Sequence, residues 1–414
     1  MSLTPTGSVS SKDTAMNTKS YLFPFILVTS LFFLWGLANI LNSALIAHFQ
    51  PVFEISRAQA LLIETAFYFG YFTVAIPAGL FMEKYSYKKG ILMGLVLYAV
   101  GALLFIPAAK LLTFGFFLVA LYIIASGLAF LETGANPYVM LLGNPATSTQ
   151  RLNFSQSFNG VALVVGPLIA GQFIFSGNEG ALTSVSEKQQ AAEAVILPYA
   201  IIAGIVLLVA ILFFIMRMPE PDKGQGLKFS TAIFRKKHLM NAVIAQLFYV
   251  GAQVGIWGIT INYVTELWPG TSNETASYYM IIGTFLFVSG RFIGTGLMNY
   301  IKDHRLLTIF AAVAVLLCLV GTFASGSIAV YSVLGVNFFM SIMFPTIFAL
   351  GIKDLGDDAK LGSSLIIMSI VGGAIIPPLM GLISVNNIQY ALIIPVLSFL
   401  IIMYFGLKGH KITS

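Results

Sequence analysis

A chain of 414 residues that is 58% hydrophobic, 13% aromatic and only 9% charged, with a mean hydropathy of +0.90, has too few polar groups to cover a soluble surface. This excludes a water-soluble enzyme with one anchor, and at roughly 20 apolar residues per crossing the length accommodates about twelve spans. A net charge of +6 would suit nucleic acid or an anionic surface, but the basic residues fall in alternate loops between apolar runs, so no nucleic-acid partner is expected.

Residues 1–20 are polar and contain no apolar core of their own, which predicts a disordered cytoplasmic tail rather than a signal peptide. Apolar runs bounded by charges and prolines then predict spans at 21–47, 58–82, 90–108, 111–142, 153–176 and 195–217. A second set follows at 239–266, 275–299, 305–324, 327–352, 362–384 and 388–407. None shows the ten-residue alternation of a membrane barrel, so the expected fold is an all-α membrane protein. It divides into a six-helix half over 21–217, a cytoplasmic linker over 218–238, a second half over 239–407 and a short tail over 408–414.

With the N-terminus inside, the outer loops carry only Arg57, Lys110 and Lys188 of the 22 lysines and arginines, and Arg291 lies within span 8. The rest sit on the inner side, which predicts that both termini are cytoplasmic. Cys318 is the one cysteine and lies in an apolar run, which argues against a disulfide or a thiolate cluster. His48, His238, His304 and His410 lie far apart near span ends, which argues against haem or zinc, and no cofactor is expected.

The linker holds Pro219, Pro221, Gly224 and Gly226 beside the basic cluster Arg235–Lys237. Six spans on each side of such a linker is the layout of a major facilitator transporter, whose substrate site lies between the halves near mid-membrane. The loop after span 2 adds a motif, Gly79-Leu-Phe-Met-Glu83-Lys84-Tyr-Ser-Tyr-Lys88-Lys89, which resembles that superfamily's signature. Gly79 would admit close helix approach, and Glu83 would pair with Lys84 or with a cation across an inner gate. Lys84, Lys88 and Lys89 serve equally as orientation charges. In the second half, Arg291 with Gly294 to Lys302 is a degenerate echo of the motif.

A charge in hydrocarbon costs on the order of 3 kcal/mol, so intramembrane acids are functional candidates. Glu64 and Glu132 are the acids placed well inside spans. Glu64 shares a helical face with Tyr68 and Tyr71, about 9 Å from the outer end of span 2 at roughly 1.5 Å per residue. Glu132 shares one with Asn136, Ala129 and Ala125. Amide and aromatic stripes recur as Trp35, Asn39 and Asn42 in span 1, Gln156 and Asn159 in span 5, and Gln246, Tyr249, Gln253 and Trp257 in span 7. Such groups either hydrogen-bond neighbouring helices or line a cavity for a small neutral sugar, whose hydroxyls donate and accept and whose ring face suits an aromatic. An anionic substrate would want a cation, and Arg291 is placed too near the inner end to supply one.

The strings Leu-Glu132-Thr-Gly-Ala-Asn136-Pro137, Ala-Phe-Tyr68-Phe-Gly-Tyr71-Phe, Tyr249-Val-Gly-Ala-Gln253 and Pro345-Thr-Ile-Phe-Ala-Leu-Gly-Ile-Lys353-Asp354 closely resemble the fucose permease and glucose/galactose transporter group of the major facilitator superfamily. The resemblance runs from span 1 to span 12. It implies cation-coupled uptake of a neutral hexose across a bacterial inner membrane by alternating access, by a monomer surrounded by lipid. It also implies that Glu132 is the family's span-4 carboxylate and that Gln156 and Asn159 are its polar pair in span 5.

Ser43 stands where the proton-coupled branch has an aspartate, and Glu64 where it has an amide. A carboxylate with nearby oxygens suits a hard cation, so the expected coupling ion is sodium held at Glu64, with Glu132 and Ser43 sharing the coupling; a proton is the alternative. A proton-coupled exporter of another small molecule and a non-transporting receptor are the competing readings. An enzyme is not expected, because no nucleophile and base pair lies within the spans.

Overall fold

The computed structural model describes residues 11–60, 62–174, 184–219 and 231–412. Among the described residues twelve helices are long and apolar enough to cross a membrane, and no strand is present. They are span 1 at Tyr21–Ile46, span 2 at Leu62–Lys84, span 3 at Tyr87–Lys110, span 4 at Phe114–Leu141, span 5 at Pro145–Ile174 and span 6 at Val185–Ile215. Span 7 follows at Lys237–Leu267, span 8 at Thr275–Leu297, span 9 at Asp303–Phe323, span 10 at Gly326–Gly351, span 11 at Gly356–Ile383 and span 12 at Ile388–Gly409. The hydropathy reading finds every span, because twenty apolar residues in a row have few other uses.

One expected boundary moves. The helix of span 1 is described from Ser11, so residues 11–20 of the expected tail are helical, while residues 1–10 lie outside the described residues. No glycine or proline separates Ser11 from Tyr21, and extending a formed helix costs far less than nucleating one. Span 2 is helical over Leu62–Lys84, and residues Arg57–Ala60 just before it are helical too, in keeping with the expected start at 58; residue 61 lies outside the described residues. Residues 220–230 of the expected linker lie outside the described residues.

Without a hydrophobic force between helices in lipid, small residues set how closely spans approach. Spans 3 and 4 meet at Gly94 and Gly127: a Cβ on either would lie 2.8 or 2.6 Å from the other's carbonyl oxygen. Spans 1 to 6 pack mainly on one another, as do spans 7 to 12. The two sets meet chiefly where span 2 faces span 11 and span 5 faces span 8. Advancing each span of one pair by six places, cyclically, gives the other, which is the pattern expected of a duplicated six-span unit.

Proline supplies the polar part of this interface. A proline inside a helix cannot donate to the carbonyl four residues back. Pro137 in span 4 thereby frees the Thr133 carbonyl, and Ser363 of span 11 donates its hydroxyl to that oxygen at 2.8 Å. Pro345 in span 10 likewise leaves the Ser341 carbonyl free, at a break where one helical segment ends at Met340 and the next begins at Met343.

Candidate functional site

A cavity of about 490 Å³ lies between the two sets of spans. It runs from Glu64 and Met280, at the ends of spans 2 and 8 away from the basic loops, down to Glu132, Gln156 and Arg291. Below it the sets are sealed on the basic face. A Cβ on Gly79 would lie 2.7 Å from the Ser364 hydroxyl and 3.0 Å from the Lys360 carbonyl, so only glycine lets span 2 reach span 11 here. The Thr149 hydroxyl donates to Asp303 at 2.8 Å, the Asn153 amide to the Thr346 hydroxyl at 3.2 Å and the Gln150 amide to Asn299 at 3.0 Å. Glu83 and Lys360 approach to 4.0 Å across the same seam. A larger cleft of about 790 Å³ opens beyond the seal, but it holds loop groups such as Lys302, Asp303 and Asp354 rather than the aromatic and amide set, and reads as a vestibule.

Trp35, Asn39, Asn42 and Ser43 reach the cavity from span 1, Gln156 and Asn159 from span 5, and Gln253 and Trp257 from span 7. Glu132 is 4% exposed, and its Oε1 accepts the Tyr71 hydroxyl at 2.6 Å, a short hydrogen bond. Asn136 does not line the cavity. Its amide donates to the Glu132 backbone carbonyl at 2.9 Å and its side-chain oxygen accepts Gln156 at 3.1 Å, so it ties span 5 to span 4 behind the carboxylate. Across the cavity the Trp257 indole N–H donates to Asn337 Oδ1 at 2.8 Å, and its ring stands edge-on to Phe287, centroids 5.3 Å apart. Asn337, not anticipated from the sequence, thus fixes the indole; only its burial in span 10 would have signalled it.

Gln246 and Tyr249 were expected at the cavity but are fully buried below it. The span 7 stripe is continuous, yet the cavity narrows toward the sealed face, so only its outer two members, Gln253 and Trp257, are reached. Both amide atoms of Gln246 lack a hydrogen-bond partner, while the Tyr249 hydroxyl lies beside the Arg291 guanidinium.

Arg291 was expected at an inner gate and instead lines the cavity, 2% exposed. Helical side chains lean toward the helix N-terminus. Span 8 has its N-terminus on the cavity's open side, so the long guanidinium is carried toward mid-membrane from a backbone position nearer the end. Of the remaining gate residues, Gly79 and Glu83 lie in the seam, but Lys84, Lys88 and Lys89 do not cross it. Lys88 donates to the Phe214 and Met216 carbonyls at 2.9 and 2.7 Å, capping the unsatisfied end of span 6, and Lys84 and Lys89 lie over the Tyr85 ring.

Glu64 lines the cavity near its mouth, as a residue in the outer part of span 2. Among the described residues no three His, Cys, Asp or Glu side chains gather as a metal site. Nothing among the described residues adds support for the expected sodium at Glu64.

The sequence matches the model of the Major Facilitator Superfamily over residues 25–369. It is 43% identical to the L-fucose-proton symporter of Escherichia coli over 95% of this chain and 94% of that one, and 36% identical to a glucose/galactose transporter of Brucella abortus over 95% of both. The structure is similar to the crystal structure of the major facilitator transporter FucP in the outward conformation, with a TM-score of 0.87, 40% identity, and 95% of this chain and 100% of that one covered. Fold, cavity and these likenesses together place the chain in the major facilitator superfamily, within the group that contains the fucose permeases and glucose/galactose transporters.

Proposed function

We propose that this chain takes up a neutral hexose by symport with a proton, through alternating access of the cavity between its halves. The observation that carries the reading is the cavity itself: two tryptophans, the amides of Asn39, Gln156, Asn159 and Gln253, and one deeply buried carboxylate converge from both halves. Amides donate and accept toward sugar hydroxyls, an indole covers the apolar ring face, and binding by both halves lets substrate favour closure around itself. Glu132 is the proton carrier in this reading, since a carboxylate at this depth tolerates neutralisation better than bare charge. The proton replaces the sodium expected from the sequence. Relatives at 43% and 39% identity are named L-fucose-proton symporters.

In this reading the protein works as a monomer in a bacterial inner membrane, with both termini and the sealed face cytoplasmic, an orientation that the excess of basic residues on that side supports. The test is uptake of labelled L-fucose, D-galactose and D-glucose into proteoliposomes, in sodium-free buffer, with and without an inward pH gradient. Accumulation of one of these sugars above the external concentration, driven by the gradient alone, is expected. Failure to accumulate any of them under either a pH or a sodium gradient would overturn the proposal.

A further inference from the structure

We infer that Arg291 is a positioning residue of the transport site and a latch between the halves: one guanidinium holds span 5 against spans 8 and 10 at the cavity floor. Its Nε donates to the Ser341 carbonyl at 2.8 Å, and its Nη1 to the Gln156 carbonyl at 2.7 Å. The first acceptor is the oxygen that Pro345 leaves free at the break in span 10. The second belongs to the other half and to a residue whose side chain lines the cavity. The Phe287 ring, 4.5 Å from the guanidinium carbon, covers one face of the cation, and no salt bridge to Arg291 is present among the described residues.

The architecture around it is built for close register. Gly160, four residues after Gln156, faces Val288 of span 8 at 3.2 Å from where a Cβ would stand. A Cβ on Gly290 would lie 2.5 Å from the Phe338 carbonyl of span 10. Spans 5, 8 and 10 are thereby brought within reach of a single side chain. A rigid fork with several N–H groups serves two carbonyls on different spans in a fixed geometry, which a lysine's point charge does less well. Through Gln156 the latch continues into the first half, because Gln156 donates to Asn136 and Asn136 to the Glu132 carbonyl. The bond to Ser341 travels within the second half, while the bond to Gln156 joins the halves and must change when they rock. Arg291 therefore fixes the register of Gln156 and Asn159 in the arrangement sealed on the basic face, and releases it in the other.

This rests on the transport reading, so the experiment has one readout that needs no sugar. In a Cys318→Ser background, Ser363→Cys places a thiol in the seal, where Ser363 is fully buried. Alkylation by a membrane-impermeant maleimide supplied at the basic face then reports opening of that face. Arg291→Gln is expected to raise the alkylation rate several-fold and to weaken hexose binding about tenfold, the size of a lost charge-assisted hydrogen bond. Arg291→Lys should fall between. If Arg291→Gln does not accumulate as folded protein, Arg291→Lys carries the test with the same directions and smaller changes. A variant that melts earlier but keeps wild-type alkylation and hexose affinity would overturn the inference. Absence of hexose binding in the unmutated protein would instead overturn the transport reading, with the alkylation comparison still deciding the latch.

Discussion

Glu132 shows how much one side chain decides. A carboxylate 4% exposed, held by a tyrosine hydroxyl and backed by the Asn136 and Gln156 amides, has its geometry fixed without any cation alongside. Glu132→Gln keeps shape and hydrogen-bonding capacity while removing the proton site, so accumulation against a gradient should vanish while exchange of labelled for unlabelled hexose persists. Gradient-driven accumulation equal to wild type would remove Glu132 from the coupling. On the facing side, Trp257 is held by Asn337, and sugar-dependent quenching should be lost in Trp257→Phe. In Asn337→Leu the indole loses its anchor, and hexose affinity should fall roughly three- to tenfold, in line with one buried hydrogen bond. Quenching that survives Trp257→Phe and disappears in Trp35→Phe would move the ring contact to span 1.

At the level of elements, the spans were legible because hydropathy is a one-dimensional property, and the stripes were legible because helical spacing is. Depth and direction were not. Counting residues from a span end misplaced Arg291, because its side chain leans back along the helix. The basic loop was read as one gate motif, but its members divide by what each side chain reaches. Gly79 touches the opposite half, whereas Lys88 caps span 6. Gly79→Leu should therefore part the seal, with hexose binding reached from the basic face in inside-out vesicles and a stability cost of about 1 to 3 kcal/mol for overpacking. Lys84→Gln, which touches no residue of the other half, should leave both within about twofold. Equal effects from the two variants would mean that charge rather than packing closes this face.

For the whole molecule, symport requires that proton and sugar change the same equilibrium between arrangements sealed on opposite faces. Two carboxylates line the cavity, and they stand in different situations: Glu132 at its floor inside a hydrogen-bond network that reaches the latch, and Glu64 near its mouth. A coupling ion must act where the halves join, because only differential contact with the two arrangements shifts their populations. Hexose affinity should therefore tighten as pH falls, by a factor within the roughly 5- to 150-fold range of ordinary coupling energies, and by linkage hexose should draw a proton onto the protein to the same extent. Sodium at fixed pH should change neither, and Glu64→Gln should leave the pH dependence within about twofold, while Glu132→Gln removes it. Isothermal titration with hexose in two buffers of different ionisation enthalpy measures the proton uptake directly. Zero uptake together with affinity that rises with sodium and is abolished by Glu64→Gln would restore the metal ion and place the coupling at the mouth of the cavity.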